Sequence, residues 1–546
     1  MKNIKTKVVS LLSVILLVSA CETTSLDLLD NNNTSTPDKA NPELLLSGAM
    51  TDFIAFNEEV TDLTMSVSRM THMYGPVYAN AYSPAASNDL WREGYANVLA
   101  NTNEVIKQAP ALKLYEHAAV AKILQAYTLT TLVDIYGDVP YSEANNNDIL
   151  NPSVDKAGDV YKAVLNLLNE AIADLEKDSN LGISDGSDIY YSGDADKWDA
   201  LAKTLKLRLY NNVRLTDMFD KTAVEALIAE GDFIQNSSQD FEVKYSTNIK
   251  DPDTRSVKFK DGYLGDPDEY MSTYFMSLLK DSKSIQDPRI RYYFYRQTFS
   301  YPDATTSDGL FTLPCLGESK PDHYGFNDPF CTIGSGYWGR DHGNAAGGPP
   351  DGNLVTVWGL YPAGGKYDNN QFNAVKDSDG AKGAGILPLI TASNTNFILA
   401  ELALEETTTG DVKSYIEAGI RASMTKVMNF KKEAIPSGAN TADSDDVDAY
   451  VNEVLTNYDA ASNDEKLNIL ITESFISNWG NGLEGYNAYR RTSMPNDVQP
   501  TIAASPGDYV RSFPYASEFV NLNSSVDAKS GVGVKVFWDT NPDNLK

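Results

Sequence analysis

The sequence predicts a mostly α-helical protein: a scaffold of paired helices carrying a large loop-rich, aromatic-rich insertion and few short strands. Three observations predict it. Apolar residues recur at helical intervals in Tyr161, Val164, Leu165, Leu168, Ile172 and Leu175, and again in Trp198, Leu201, Leu205 and Leu209. Between about residues 231 and 391 that periodicity nearly vanishes, and Gly, Pro, Asp and aromatic residues crowd together. Beyond residue 392 amphipathic patterns return. The expected body, residues 42–546, thus has a helical scaffold over about 42–230 and 392–490, a loop-rich ligand region over about 231–391 and a loop-like C-terminus over 491–546. Antiparallel pairs of this size point to a helical repeat of the tetratricopeptide kind. Pairing alone carries that reading, since the repeat consensus is not legible.

Taken in order, the chain opens with a basic segment (Lys2, Lys5, Lys7), an apolar run from Val8 to Leu17, and the box Val18-Ser19-Ala20-Cys21. A positive start stays on the cytoplasmic side, the apolar run enters the bilayer, and small residues fit the peptidase cleft. This is the pattern of a lipoprotein signal peptide over residues 1–20, with lipidation expected at Cys21. Several acyl chains on one residue anchor a domain stably to a membrane. Residues 21–41, with the run Asn31-Asn32-Asn33-Thr34-Ser35-Thr36-Pro37, read as a flexible tether. Beyond the signal, no run is expected to approach membrane-spanning length.

Pro42 suits a first helical position, with Asn41 as N-cap. Trp91–Ile106 and Leu112–Tyr136 read as long helices joined at Pro110, the second stopped by Gly137. The helix carrying Trp198 is expected to be capped by Asp196. Tyr292–Tyr295 reads as a short strand. Asn396–Glu406, Val412–Phe430 and Leu467–Trp479 read as helices, with a Ser462/Glu465 capping box before the last.

The formal charge is −30, and −33 once the three signal lysines are removed. Such acidity argues against a nucleic-acid partner. Apart from Cys21 the chain has Cys315 and Cys331, flanking an aromatic loop. A disulfide there would stabilise by roughly 3 kcal/mol, and two free buried thiols are the equal alternative. No pair of CxxC motifs exists and the histidines (His72, His117, His323, His342) are dispersed, so no metal centre is expected. Asp377-Ser378-Asp379-Gly380 and Asp443-Ser444-Asp445-Asp446 resemble fragments of calcium loops without the closing glutamate. They read as solvated turns, with a structural calcium as the minority option; no cofactor is expected. Gly182-Ile183-Ser184-Asp185-Gly186 matches a nucleophile elbow in spacing only, because a helix and not a strand precedes it.

Six blocks in order resemble the SusD/RagB family of outer-membrane nutrient-binding lipoproteins. They are the lipobox with Asn41-Pro42-Glu43-Leu44-Leu45-Leu46; Tyr127 with Asp134-Ile135-Tyr136-Gly137-Asp138-Val139-Pro140-Tyr141; Gly193-Asp194 with Lys197-Trp198 and Leu205-Lys206-Leu207-Arg208; Asp287-Pro288-Arg289; Glu484-Gly485-Tyr486-Asn487-Ala488-Tyr489-Arg490-Arg491-Thr492; and Arg511-Ser512-Phe513-Pro514-Tyr515. The block Trp338-Gly339-Arg340-Asp341-His342-Gly343-Asn344, with Pro349-Pro350-Asp351 and Tyr361-Pro362-Ala363-Gly364-Gly365, looks like the mark of one branch of that family. The resemblance implies a non-enzymatic protein, anchored in the outer membrane and facing the cell surface. It would capture oligosaccharides or peptides and deliver them to a TonB-dependent receptor of the SusC type.

Physically, Arg490 and Arg491 are expected to pair with buried carboxylates. The 31 Tyr and 6 Trp include two loop groups that suit ligand stacking. Tyr74, Tyr78 and Tyr82 form one; Tyr324, Tyr337 and Trp338, near Asp341 and His342, form the other. Together they are expected to make one shallow, solvent-facing site. Two other classes compete: a lipid-anchored glycan hydrolase, with a carboxylate pair across one cleft, and a structural helical-repeat adaptor without a small ligand.

Overall fold

Pro42 opens the first helix, α1 (Pro42–Val67), where its missing N–H leaves no partner unmade. One side of α1 buries Leu46, Met50, Phe53, Phe56 and Val60. After an excursion through residues 68–87 the chain forms α2 (Asn88–Arg92), a wider π-helical stretch at Glu93–Leu99, and α3 (Ala100–Gln108). A 3-10 turn containing Pro110 leads to α4 (Tyr115–Tyr136). Every residue of α4 from His117 to Tyr136 is buried, so it has no polar face. By length and composition α4 could cross a membrane, yet it lies wholly inside the body. This corrects the expectation that no run beyond the signal approaches spanning length. Gly137, at φ +79°, ends it with an N–H bond to Val133 O at 2.8 Å.

The computed structural model describes residues 40–146, 148–265, 267, 269–300, 314–346, 354–542 and 544–546. The signal segment, Cys21, nearly all of the tether and the Pro349-Pro350-Asp351 block lie outside the described residues. Residues Pro42–Lys546 form one unit.

Next come α5 (Ala157–Leu175), α6 (Ala195–Asn212) and α7 (Lys221–Glu230), with α4 packed on α5 and α5 on α6. The cap of α6 is Asp194, whose carboxylate accepts from the Lys197 N–H. Asp196 falls inside the first turn, where its charge faces the positive end of the helix. The middle region holds short pieces: β1 (Phe241–Lys244), α8 (Val257–Tyr263), α9 (Thr273–Lys280), β2 (Phe294–Tyr295), β3 (Val357–Trp358) and β4 (Ile386–Ile390). β1 pairs antiparallel with β4, and β2 with β3. The strand expected at Tyr292–Tyr295 is half helical turn (Ile290–Tyr293) and half strand.

With few ladder bonds, large side chains knit this layer. The Tyr263 hydroxyl donates to Trp358 O at 2.8 Å and accepts from the Lys366 N–H at 2.7 Å. Arg296 pairs with buried Asp368 at 2.6 Å, and Trp358 stacks on Trp479 with centroids 4.4 Å apart. The aromatic richness of the insertion is mostly core.

Helices return as α10 (Ala392–Glu406), α11 (Val412–Asn429), α12 (Ser444–Ala460), α13 (Asn463–Ser477) and α14 (Gly482–Thr492). The Ser462/Glu465 capping box stands as its spacing predicts. α12 and α14 are not anticipated from periodicity. The Asp443-Ser444-Asp445-Asp446 fragment is the start of α12: the Asp443 carboxylate accepts from the Asp445 and Asp446 N–H groups. In the other fragment Asp379 accepts from the Lys376 N–H and pairs with Lys366 at 3.4 Å.

The two helical sets pack on each other, α10 on α6 and α14 on α1. At the second contact a Cβ on Gly482 would stand 2.2 Å from Met65 N, so only glycine allows the approach. Two buried ionic networks cross the seam. Asp134 accepts from Tyr161, Trp538, Asn487 and Arg208, and Arg208 also donates to Glu484 at 2.6 Å. Glu401 lies between Arg491 at 2.7 Å and Arg214 at 3.0 Å. Arg490 departs from the expected carboxylate pairing. Its guanidinium sits 3.7 Å over Tyr486 and 4.7 Å over Trp538, and donates to Arg511 O and Asn487 Oδ1. The C-terminal stretch has one helix, α15 (Ser517–Leu522), and returns to α4 through the Phe513 N–H bond to Ile135 O.

Candidate ligand-binding site

Three sequence-distant segments meet beyond the end of α1. Thr71 bridges to Met271, Ser272 bridges to Arg340, and the His72 N–H donates to Tyr270 O at 2.9 Å. Gly339 makes this possible, because a Cβ there would lie 2.0 Å from Met271 O. The Gly343 N–H then donates to Met73 O, the Tyr78 N–H to Pro506 O and the Ile502 N–H to His342 O. The fold thus brings together the two loop groups that the sequence singles out.

It does not turn most of their side chains outward. Of the eight candidate residues only Tyr74 is exposed, at 51 %. Tyr78, Tyr82, Tyr324, Tyr337, Trp338, Asp341 and His342 are buried, which corrects the expected solvent-facing platform. Their polar atoms explain why. The Tyr78 hydroxyl accepts from Arg69 at 2.7 Å and lies 3.3 Å from His342 Nε2. Burial, reinforced by Arg69 and His72, holds His342 well below its usual pKa and therefore neutral. Asp341 accepts from the Cys331 N–H at 2.7 Å and from Gln499 at 2.9 Å, and burial pushes it up to about 6. Tyr337 lies under the Arg296 guanidinium, and the Tyr324 hydroxyl donates to Pro500 O. Trp338 packs with Cys315 and Cys331 in a small apolar cluster. Those cysteines are joined as a disulfide with Cα atoms 5.5 Å apart, closing the loop between them.

Two clefts flank this floor. The first, of about 310 Å³, lies against the C-terminal half of α1 and is lined by Glu59, Asp62, His72, Tyr74, Tyr82 and Leu90. The Tyr74 ring stands edge-on to His72 at its rim. The second, of about 450 Å³, is lined by His323, Asp328, Pro500, Pro506 and Lys546. Phe326, in the turn between those lining residues, is 99 % exposed. Sequence reasoning missed Glu59, Asp62, His72 and Phe326. The available signal was the i, i+3 carboxylate pair Glu59/Asp62 in the second half of α1.

Glu59 and Asp62 stand one turn apart on one wall of the first cleft, whereas glycoside hydrolysis needs carboxylates flanking the bond from both sides. Asp62 is engaged by Lys258 at 2.5 Å. Ser184, of the elbow-like motif, lies in an exposed turn bonded to Glu43 and Ser187. Among the described residues no group of His, Cys, Asp and Glu is placed to hold a metal ion.

Residues 31–309 match a family model described as SusD-like, starch-binding and associating with the outer membrane. Residues 365–530 match a second, described as SusD and RagB outer membrane lipoprotein. The chain belongs to the SusD/RagB family. It is accordingly an outer-membrane, lipid-anchored protein. Solved structures share the fold over nearly the whole chain. A SusD/RagB family protein from Bacteroides thetaiotaomicron superposes with a TM-score of 0.66 at 16% identity, covering 92% of this chain and 100% of its own. A chitin-binding protein gives 0.64 at 21%, with the same coverage of each chain. A chitin-binding SusD homologue from Flavobacterium johnsoniae gives 0.62 at 19%, again covering 92% and 100%. No curated protein sequence matches the chain. The helical, tetratricopeptide-like SusD fold is the one described above.

Proposed function

We propose that this SusD-like lipoprotein captures an oligosaccharide or a peptide at the cleft beneath Tyr74, facing the cell surface, and delivers it to a partner TonB-dependent transporter of the SusC type. The observation that carries the reading is the exposed Tyr74 ring at the rim of an open cleft, on a floor stiffened by buried hydrogen bonds. An aromatic face in a shallow groove holds a sugar ring or an apolar side chain firmly enough to capture it. It strips few polar groups of water, so release stays easy. The chitin-binding names of two structural neighbours favour the oligosaccharide arm. The proposal is non-enzymatic: a ligand is bound and handed on unchanged.

Isothermal titration of the mature protein against a glycan panel and a peptide mixture tests it. At least one ligand is expected to bind, and Tyr74→Ala is expected to weaken it by about 1–3 kcal/mol. The melting temperature should hardly move, because half of the ring is already in water. Absence of binding across both panels, or a ligand turned over during the titration, sinks the reading. The anchor is tested separately: mass spectrometry of membrane-extracted protein is expected to find an acylated Cys21 as the first residue. Cys21→Ser should release the body without unfolding it.

A further inference from the structure

We propose that the cleft beneath Tyr74 is an ammonium subsite, with Glu59 and His72 as the acceptors of a ligand's primary amine. The inference rests on the ligand-capture reading above and names the chemistry that the captured molecule must carry. A free amino sugar and a lysine side chain both supply it.

The cleft wall holds a carboxylate with no cation on it. Glu59 is half-buried there and makes no hydrogen bond or ion pair among the described residues. Burial, with Asp62, Asp89, Glu58 and Glu93 around it, raises its pKa. The cations nearby are already engaged. Lys258 is held by Asp62 at 2.5 Å and by Glu269 at 2.8 Å, and lies over the Trp358 ring. Arg92 is held by Asp89 at 2.5 Å and faces Glu93 at 4.0 Å.

His72 adds an independent pointer. It is 7 % exposed, and its Nε2 lies 2.8 Å from Asn344 O. A carbonyl only accepts, so Nε2 carries the proton. Burial, opposed by that bond and aided by Arg340, lowers its pKa to about 4, so the ring is neutral. Nδ1 is therefore an acceptor, and it has no protein partner among the described residues. A nine-tenths-buried polar ring thus lines the cleft with a lone pair unused.

The occupant that fits must donate and carry positive charge. A bare metal ion is a poor match, since no set of ligands converges to hold one. A hydroxyl offers a single donor; an ammonium offers three, and the charge that an unpaired carboxylate lacks. The Tyr74 face adds cation–π attraction. A cleft of about 310 Å³ accommodates one sugar ring or one lysine stem.

The test titrates the mature protein with β-1,4-glucosamine oligomers and their fully N-acetylated counterparts, and with a lysine-containing peptide and its Nε-acetylated form. In at least one arm the free amine is expected to bind about tenfold tighter than the acetylated partner. The arm that shows the preference identifies the source of the amine. Glu59→Gln should abolish the preference while the fold is retained, since a half-buried unpaired carboxylate contributes nothing favourable to stability. Glu433→Gln, an exposed carboxylate elsewhere, should leave the preference intact. Acidification should shrink it, because Glu59 protonates before ordinary carboxylates and the amine stays charged. Equal binding of acetylated and free forms overturns the ammonium subsite and leaves ligand capture standing. A preference that survives Glu59→Gln, or falls equally in Glu433→Gln, also overturns it. No binding in any arm overturns both.

Discussion

Glu401→Ala is expected to lower the stability of the body by about 3–5 kcal/mol, because it strands two buried cations at once. The Glu401 carboxylate is 2.7 Å from Arg491 and 3.0 Å from Arg214, and Asn211 donates to it at 2.9 Å. These residues come from both helical sets, so the loss falls on the seam that unites them. Burial alone would raise the Glu401 pKa; Arg491 and Arg214 outweigh it and hold the group at about 2. The sign of the pH dependence follows. A carboxylate with a depressed folded pKa stabilises fully above its unfolded value, and that contribution disappears as pH falls from the ordinary carboxylate range towards about 2. Denaturant unfolding at neutral pH should show the loss in the midpoint. If the single variant does not fold, replacing Glu401 and Arg491 together by leucine should recover part of the stability, since an apolar pair leaves fewer orphaned charges. A Glu401→Ala protein as stable as the parent would refute the role of this network.

Trp338→Ala is expected to cost a comparable amount, about 3–5 kcal/mol, and to affect ligand binding only through the fraction unfolded. The ring is fully buried against Cys315, Cys331, Leu316, Phe330 and Leu354. Its backbone exchanges bonds with Thr356 at 2.8 Å in each direction. Tyr74→Ala should show the opposite pattern: weakened binding with a steady melting temperature. Measuring both quantities on both variants separates support from contact. A Trp338→Ala protein of unchanged stability and weakened binding would contradict its placement in the core.

That contrast shows what the sequence carries and what it hides. Helices with one apolar stripe, such as α5, were legible because burial on one side writes a period of about 3.6 into the residues. Asp194 and Asp196 are both aspartates beside the same helix start, and the sequence reading names Asp196. Only the backbone shows which carboxylate reaches the Lys197 N–H. α12 was hidden behind Asp443-Ser444-Asp445-Asp446, where a helix start and a metal-loop fragment use the same residues. The candidate site was legible as a region and misleading in its members. A loop-rich layer with few ladder bonds must build its core from large rings with polar tips, such as Tyr263, Tyr337 and Trp358. Those are the same residue types that stack on ligands. Tyr74 and Tyr78 are indistinguishable in the sequence; only the Arg69 and His342 partners of Tyr78 reveal which one faces inward.

The contact of α14 with α1 sets the order in which the molecule can complete itself. α1 begins at residue 42, yet the helix that lies against Met65 begins at residue 482. Between them the loop-rich layer must also close, since Thr71 bridges to Met271 and Ser272 to Arg340. The first helix to emerge on export therefore waits, with part of its apolar surface uncovered, for nearly the whole chain to arrive. Contacts so far apart in sequence slow folding and lengthen the interval in which apolar surface can meet the wrong partner. Maturation of this lipoprotein is accordingly most vulnerable to interruption late: a chain halted before residue 482 has most of its helices, but cannot seal the first one.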